Sequence, residues 1–466
     1  MNIVIFGTGL FYERRKKMLP TDSRIVAFLD NNVLKQGSIF ENVHIYAPES
    51  ACEMEYDAII LASSTPGEMR GQLISLEVPE EKIFYWEEYI SRQRRGTLIK
   101  YRSGVDLLNK KKILIIVPLT NYTGGFLAAF NVGICFRNRG FYVVIAVPVY
   151  NEKAVEDITK SGIDVWICPS LPYITDTELE WIDAFDYVIS NTLQTIICAT
   201  KIKKGKKVLF WIHEPERNYE ETLKQYMKYC DEDYLQEINV CTVSQLSRKI
   251  FHKHFQNINV RILPPGIEDF AGGASKNENR ITIALIGNIY PLKNQIGFAE
   301  AISRLPEEKR SAIECLIIGK DVDSKYRQEL DRKTAPLPCI RMIGETPMEQ
   351  MHELYKEIDA VACTSREETM SMVIIEGMMC GKICITNTNT GIADYIQDGV
   401  NGYVYNEGDT DELIQKIDYV ITHFGQLDQV RAKARETYER YFSMECLKKN
   451  LEAILKCQLY DAEVTE

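Results

Sequence analysis

The chain has 466 residues, 45% hydrophobic and 26% charged, with a formal net charge of −11. That length allows roughly two to four domains, and the composition is that of an ordinary globular chain. The acidic balance excludes nucleic acid as the main partner, because such binding needs a basic face. Thirteen cysteines are scattered, many inside apolar runs such as those around Cys168 and Cys363. They predict reduced, buried thiols in a cytoplasmic protein. No apolar run reaches the ~18–20 residues that span a bilayer, and the N-terminus lacks a signal-peptide pattern.

In chain order, Asn2–Phe6, Arg24–Leu29, Tyr56–Ala62 and Lys82–Trp86 are short apolar runs separated by helical stretches. They predict βαβ units and a parallel sheet in an N-terminal domain over residues 1–95. Gly7-Thr8-Gly9 follows the first run and Asp30 ends the second. The pair resembles a dinucleotide fingerprint that lacks its third glycine, so a ligand and a purely docking or regulatory role both stay open. Residues 96–111 are basic and poor in apolar residues, which predicts a linker. A second series follows at Ile113–Val117, Phe141–Val147, Asp164–Cys168, Tyr187–Ser190, Lys207–Ile212 and Ile238–Val243. The small polar stretch 271–279 predicts a hinge loop. A third series runs Ile281–Ile286, Ala312–Ile318, Ile340–Ile343, Ala360–Thr364 and Ile383–Thr386, and the end is helical from Asp409. The domains expected are 112–272, 273–440 and a C-terminal helical segment 441–466, which is expected to pack back on the first of these two.

Between Ala360 and Gly402 a strand leads through Ser365 to Glu368, and a helix is predicted to start near Met370–Met372, with Glu376 on its first turns. Free N–H groups and a partial positive charge at such a helix start suit a diphosphate. The glycine-led turn Gly287 to Lys293 after an apolar strand is a phosphate cradle by the same chemistry. Asp321-Val322-Asp323 could hold a metal with a diphosphate, and His252 and His254 are two apart, but each is read as a turn or a helix surface rather than a site, so no metal is expected.

The ordered set Gly124-Gly125, Pro264-Pro265-Gly266-Ile267-Glu268, Gly287 to Lys293, Leu316-Ile317-Ile318-Gly319 and Glu368 with Glu376 resembles family 4 of the retaining glycosyltransferases, over about residues 112–457. The resemblance implies a GT-B fold, an α/β architecture of two Rossmann-like domains facing a cleft, here with an extra N-terminal Rossmann-like domain. It implies a nucleotide-sugar donor, with a UDP-sugar expected, and no cofactor. Lys293, Glu368 and His213 would be the catalytic groups. Lys293 would meet the diphosphate, Glu368 the sugar hydroxyls and Glu376 the ribose. Gly287, Asn288 and the amides of Thr369, Met370, Ser371 and Met372 would line the donor, Gly344 and Glu345 would lie near the base, and Thr123, Gly124 and Gly125 would form an acceptor-side loop. Asn288 departs from the arginine common at its place, which removes one positive charge. The acceptor would be a glycan, a lipid-linked or a protein acceptor in surface polysaccharide or glycoconjugate synthesis. The basic segments 92–112 and 201–207 would give peripheral contact with the inner face of a membrane. The alternatives are a nucleotide-sugar epimerase on the same fold and a non-catalytic module that binds a glycan or partner.

Overall fold

The computed structural model describes residues 1–63, 65–105, 110–120, 123–202, 207–230, 233–272 and 280–456. Lys203, Lys204 and Lys206 of the second basic run, Asp106 in the linker, most of the expected hinge loop and the end of the C-terminal segment lie outside these residues. Two compact units form, one of residues 1–129, 136–210 and 216–239, the other of 130–135, 211–215 and 240–466. No helix among the described residues is long and apolar enough to cross a membrane.

In the first unit the N-terminal elements are β1 (Asn2–Phe6), α1 (Leu10–Arg15), β2 (Arg24–Leu29), β3 (Ile39–Phe40), β4 (Val43–Tyr46), β5 (Ala58–Leu61), α2 (Pro66–Ser75), β6 (Ile83–Tyr85) and α3 (Trp86–Gln93). Their sheet has the order β3-β4-β2-β1-β5-β6 and is parallel except at β3. Successive residues of β1 enter opposite cores. Ile3 and Ile5 pack with Tyr12 and Trp86, and Val4 and Phe6 with Leu73 and Ala51. A strand buried on both faces must be apolar throughout, which is why β1 reads as an unbroken run.

The chain continues with β7 (Ile99–Tyr101), β8 (Lys112–Ile116), α4 (Gly124–Arg137), β9 (Tyr142–Val147), α5 (Glu152–Lys160), β10 (Asp164–Ile167), β11 (Tyr187–Asn191), α6 (Ile196–Lys201), β12 (Lys207–Ile212) and α7 (Tyr219–Tyr226), all in the first unit except residues 130–135 of α4 and 211–212 of β12. Within it the strand order is β12-β11-β8-β9-β10-β7. Part of the expected linker is therefore an edge strand. β7 pairs antiparallel with β10, and Lys100 Nζ sits 3.9 Å above the Trp166 ring. Ile99 and Tyr101 are apolar but exposed, and three residues are too short a run to mark a strand, so their pairing is a tertiary effect.

In the second unit β13 (Asn239–Thr242), α8 (Gln245–His254) and β14 (Val260–Ile262) precede the third series, and β13 and β14 are parallel. That series is β15 (Ile281–Ile286), α9 (Gln295–Arg304), α10 (Glu307–Ser311), β16 (Ile313–Ile318), α11 (Ser324–Thr334), β17 (Ile340–Gly344), α12 (Met348–Glu357), β18 (Ala360–Ala362), α13 (Met372–Met379), β19 (Ile383–Asn387) and β20 (Tyr403–Tyr405). Helices α14 (Thr410–His423), α15 (Asp428–Tyr441) and α16 (Met444–Leu455) close the chain. The sheet order is β17-β16-β15-β18-β19-β20, parallel throughout. Strand order reverses at β15, with β16 on one side and β18 on the other. Ligands of such sheets bind outside the carboxyl ends of the strands at that switch point. Helix α16 lies on the segment before β15, since a Cβ added to Gly266 would stand 2.7 Å from Leu447.

Candidate functional site

The carboxyl ends of β15, β16 and β17 carry Gly287, Gly319 and Gly344, all at positive φ. Gly287 N donates to Ile318 O at 2.8 Å and Gly319 N to Gly344 O at 2.9 Å. A Cβ on Gly319 would sit 1.9 Å from Gly287 O, so glycine is required there by contact as well as by backbone angle. After Gly287 the chain makes a tight turn at Pro291–Lys293, and Asn294 enters α9 from the left-handed region. Thr364, past β18, donates to Lys293 O at 3.0 Å, and Arg366 N donates to Leu292 O at 2.8 Å. These bonds stitch the two loops together across the switch point.

The stitching places Lys293 Nζ in an ion pair with Glu368, whose carboxylate also accepts from Ser365 Oγ at 3.3 Å. Burial works against the Lys293 ammonium, but Glu368 beside it outweighs that and raises its pKa. The segment after Glu368 is held from both sides. Gly391 N donates to Glu368 O at 2.8 Å, Ser244 Oγ to Thr369 O at 2.7 Å, and Thr369 Oγ1 to His213 O at 2.7 Å. A Cβ on Gly391 would strike Thr369 O at 1.9 Å. Met370 and Ser371 are buried, and the Ser371 side chain does not cap α13. The first N–H groups of that helix thus carry no side-chain cap, the condition under which a helix start binds an anion.

Glu376 stands on the second turn of α13 and accepts from Tyr355 Oη at 2.6 Å. Burial pushes its carboxyl up to about 7, and the Tyr355 bond opposes the rise. His213 packs edge-on to Trp211 with centroids 4.4 Å apart, and Trp211 is tied by its indole N–H to Leu263 O at 3.0 Å. Burial drives the imidazole down to about 3, so it is neutral, and its Nε2 is buried without a hydrogen-bond partner among the described residues. Asn288 is exposed, with its carbonyl accepting from Gln295 at 2.8 Å. Glu345 is paired with Lys320 at 3.2 Å. The second unit therefore brings together Lys293, Glu368, Thr369 and His213 through direct bonds.

In the first unit Gly124 and Gly125 open α4, and the exposed Thr123 precedes them. Asn191, at the end of β11, donates to Gly125 O at 3.2 Å. Its Oδ1 and the hydroxyl of Thr192 are buried without partners among the described residues, and Thr192 holds a φ of 82°. A β-branched residue at such an angle is strained. Sequence reasoning passed over Asn191, Thr192, Ser244 and Tyr355. The first two left a signal in the polar end of an otherwise apolar strand, and Tyr355 left none, since an aromatic on an amphipathic helix reads as core.

Other candidates are engaged elsewhere. Asp321 pairs with Arg327 at 2.8 Å and Asp323 caps α11, accepting from Tyr326 N at 3.0 Å. His252 Nδ1 lies 3.3 Å from Phe255 O. Asp30 is occupied by its own domain, accepting from Thr8 N at 3.2 Å and from Lys35 Nζ at 3.0 Å. No group of three metal-binding side chains occurs among the described residues.

The fold is GT-B, α/β with several parallel-sheet Rossmann-like domains. Residues 267–437 match the family model described as glycosyl transferases group 1, and residues 1–84 match one described as C2185-like, N-terminal. Together the group 1 domain and the fold support a GT-B glycosyltransferase. Among individual relatives, the lipopolysaccharide 1,2-N-acetylglucosaminetransferase of Salmonella typhimurium is 24% identical over 263 residues, covering 52% of this chain and 68% of that one. Sulfoquinovosyl transferase SQD2 of Arabidopsis thaliana is 25% identical over 122 residues, which is 26% of this chain and 24% of that protein. Anabaena HepE, solved with UDP and glucose, superposes with a TM-score of 0.63 at 16% identity, over 75% of this chain and 100% of that one.

Proposed function

We propose that the chain is a retaining, family 4 glycosyltransferase that moves a sugar from a nucleoside diphosphate sugar, with UDP as the expected nucleotide, to a hydroxyl of a glycan, lipid-linked or protein acceptor. The observation that carries this is the Lys293–Glu368 pair at the sheet's switch point, beside the uncapped start of α13. In this reading Lys293 and the amides of Thr369 to Met372 hold the diphosphate, Glu368 takes sugar hydroxyls, Glu376 the ribose, and the Gly344–Glu345 turn borders the base. The anomeric C–O bond breaks, its electron pair leaves with the diphosphate, and the acceptor oxygen bonds to the same face. The acceptor proton passes to the departing phosphate oxygen. Fixed donors aimed at the growing phosphate charge stabilise the transition state without a metal in this scheme. Neutral His213 offers a hydrogen-bonding atom to the sugar, and Thr123, Gly124 and Gly125 serve the acceptor.

The Salmonella relative named for lipopolysaccharide supports a role in surface polysaccharide or glycoconjugate synthesis, and the inner face of a membrane is the place expected for it. Exposed Arg95, Lys100 and Arg102 supply weak attraction to anionic lipid. The test is a panel of UDP-, GDP- and ADP-sugars, with and without EDTA and acceptor. One donor is expected to bind in EDTA, and Lys293→Ala and Glu368→Ala are expected to lower turnover by about 10²–10⁴ with the fold intact. Near-parental rates in either variant sink the site assignment. A converted donor in the absence of acceptor points to the epimerase, and no binding of any donor to a glycan or partner module.

A further inference from the structure

The geometry points to Tyr355 as a positioning residue, one that holds Glu376 with a single carboxyl oxygen free to accept from the two hydroxyls of a donor's ribose. This rests on the donor reading above and adds a residue that reading does not contain. Tyr355 is 2% exposed. Its hydroxyl lies 2.6 Å from Glu376 Oε2 and 3.5 Å from Val373 O. A phenol has one proton, so the shorter contact takes it, and Oε1 is left for a ligand. The ring cannot swing away. Phe270 packs against it with centroids 5.7 Å apart, and Phe270 is itself stacked on His352 at 3.8 Å. A buried ring is a stiffer support than the long side chain it holds, because a glutamate has three rotatable bonds.

The second consequence is chemical. Burial of the Glu376 carboxyl favours the neutral acid. A protonated carboxyl is a poorer acceptor for ribose hydroxyls. The Tyr355 bond favours the charged form and keeps the carboxylate available near neutrality. The titratable groups that face this pair are the Cys380 thiol at the end of α13 and the Cys384 thiol of β19, and Cys380 in turn feels Lys382, Asp269 and Arg435.

The experiment is calorimetric binding of UDP, GDP and ADP from pH 6 to pH 8, followed by the 2′,3′-dideoxy form of whichever binds. With a carboxyl titrating at about 7, affinity for the ribose form is expected to rise about tenfold across that range, and affinity for the dideoxy form to stay flat. In Tyr355→Phe the midpoint moves to higher pH and the preference for ribose over dideoxyribose falls about tenfold, while dideoxy affinity is kept. Incorporation of 3,5-difluorotyrosine at position 355 keeps the hydroxyl and strengthens it as a donor, and it moves the midpoint to lower pH even if the phenylalanine variant does not fold. An unmoved midpoint in the fluorinated protein overturns the proposal. So does an equal loss for ribose and dideoxy forms in Tyr355→Phe, which would mark a merely structural role. Failure of the parent chain to bind any nucleoside diphosphate would instead sink the donor reading beneath it.

Discussion

At the scale of single residues the two carboxylates Glu368 and Glu376 differ in how they are kept. Glu368 is neutralised by Lys293, so under the proposed donor reading a diphosphate entering there would compete with a carboxylate already in place. That pair keeps both side chains extended toward one point before any ligand arrives, which is preorganisation of the kind that electrostatic catalysis uses. Glu376 has no such cation among the described residues and answers burial by holding its proton. Its pKa goes from the ordinary 4.5 to about 7 in the folded chain. Between those values the folded chain binds a proton that the unfolded chain has released, so stability falls as pH rises through the window. Glu376→Gln removes this ionisation while keeping an acceptor for Tyr355. Its Tm is expected to match the parent near pH 4 and to exceed it at pH 8, read by scanning calorimetry. A variant Tm below the parent's at pH 8 would contradict the burial argument.

The elements that matter most are turns. Three glycines end three adjacent parallel strands, and two of them touch. A Cβ at Gly319 would lie 1.9 Å from Gly287 O, and backbone cannot yield as a flexible side chain can. The residue also holds a φ of 155°. Gly319→Ala is therefore expected to destabilise the second unit by about 2–4 kcal/mol, a magnitude typical of combined overpacking and backbone strain. It should also weaken binding of the nucleoside diphosphate, because displacement of Gly287 carries Lys293 with it. Chemical denaturation and diphosphate binding check the two parts separately. Gly344 shows the contrast, since a Cβ there meets nothing within 4 Å and φ alone, at 81°, disfavours a side chain.

At the scale of the whole molecule, the N-terminal domain is built into the first unit rather than tethered to it. Glu88 of α3 is 3% exposed and accepts from Tyr229 Oη at 2.6 Å and from Arg92 at 2.8 Å. Ser91 donates to Pro169 O at 3.2 Å, and Glu87 lies against Arg15, Gln225 and Tyr226 with its pKa raised by burial. Tyr173, Tyr226 and Tyr229 pack ring to ring under this helix, at 5.2 and 5.3 Å. Deletion of residues 1–95 would expose those rings and leave the Tyr229 hydroxyl without Glu88. The truncated chain is expected to melt several degrees lower and to aggregate, while Glu88→Ala in the full chain costs about 1–3 kcal/mol. A truncated chain with the parental melting temperature would show that the domain is only an appendage.

The sequence by itself determined the three α/β series and the class of the fold, and it singled out the glycines and glutamates on which the donor reading is proposed. Apolar runs of strand length and glycines at strand ends are local patterns, set by burial on both faces and by backbone angle. Only the tertiary structure decided who meets whom. It paired three exposed linker residues at Ile99–Tyr101 with β10, set Tyr355 against Glu376 across two helices, joined Thr369 to His213 from 156 residues away, and filled the Asp30 carboxylate with partners from its own domain. Each of these is a contact between segments far apart in the chain, whose residue types carry no mark of the partner they will find, because hydrogen-bond capacity is written in a side chain and direction is supplied by the fold.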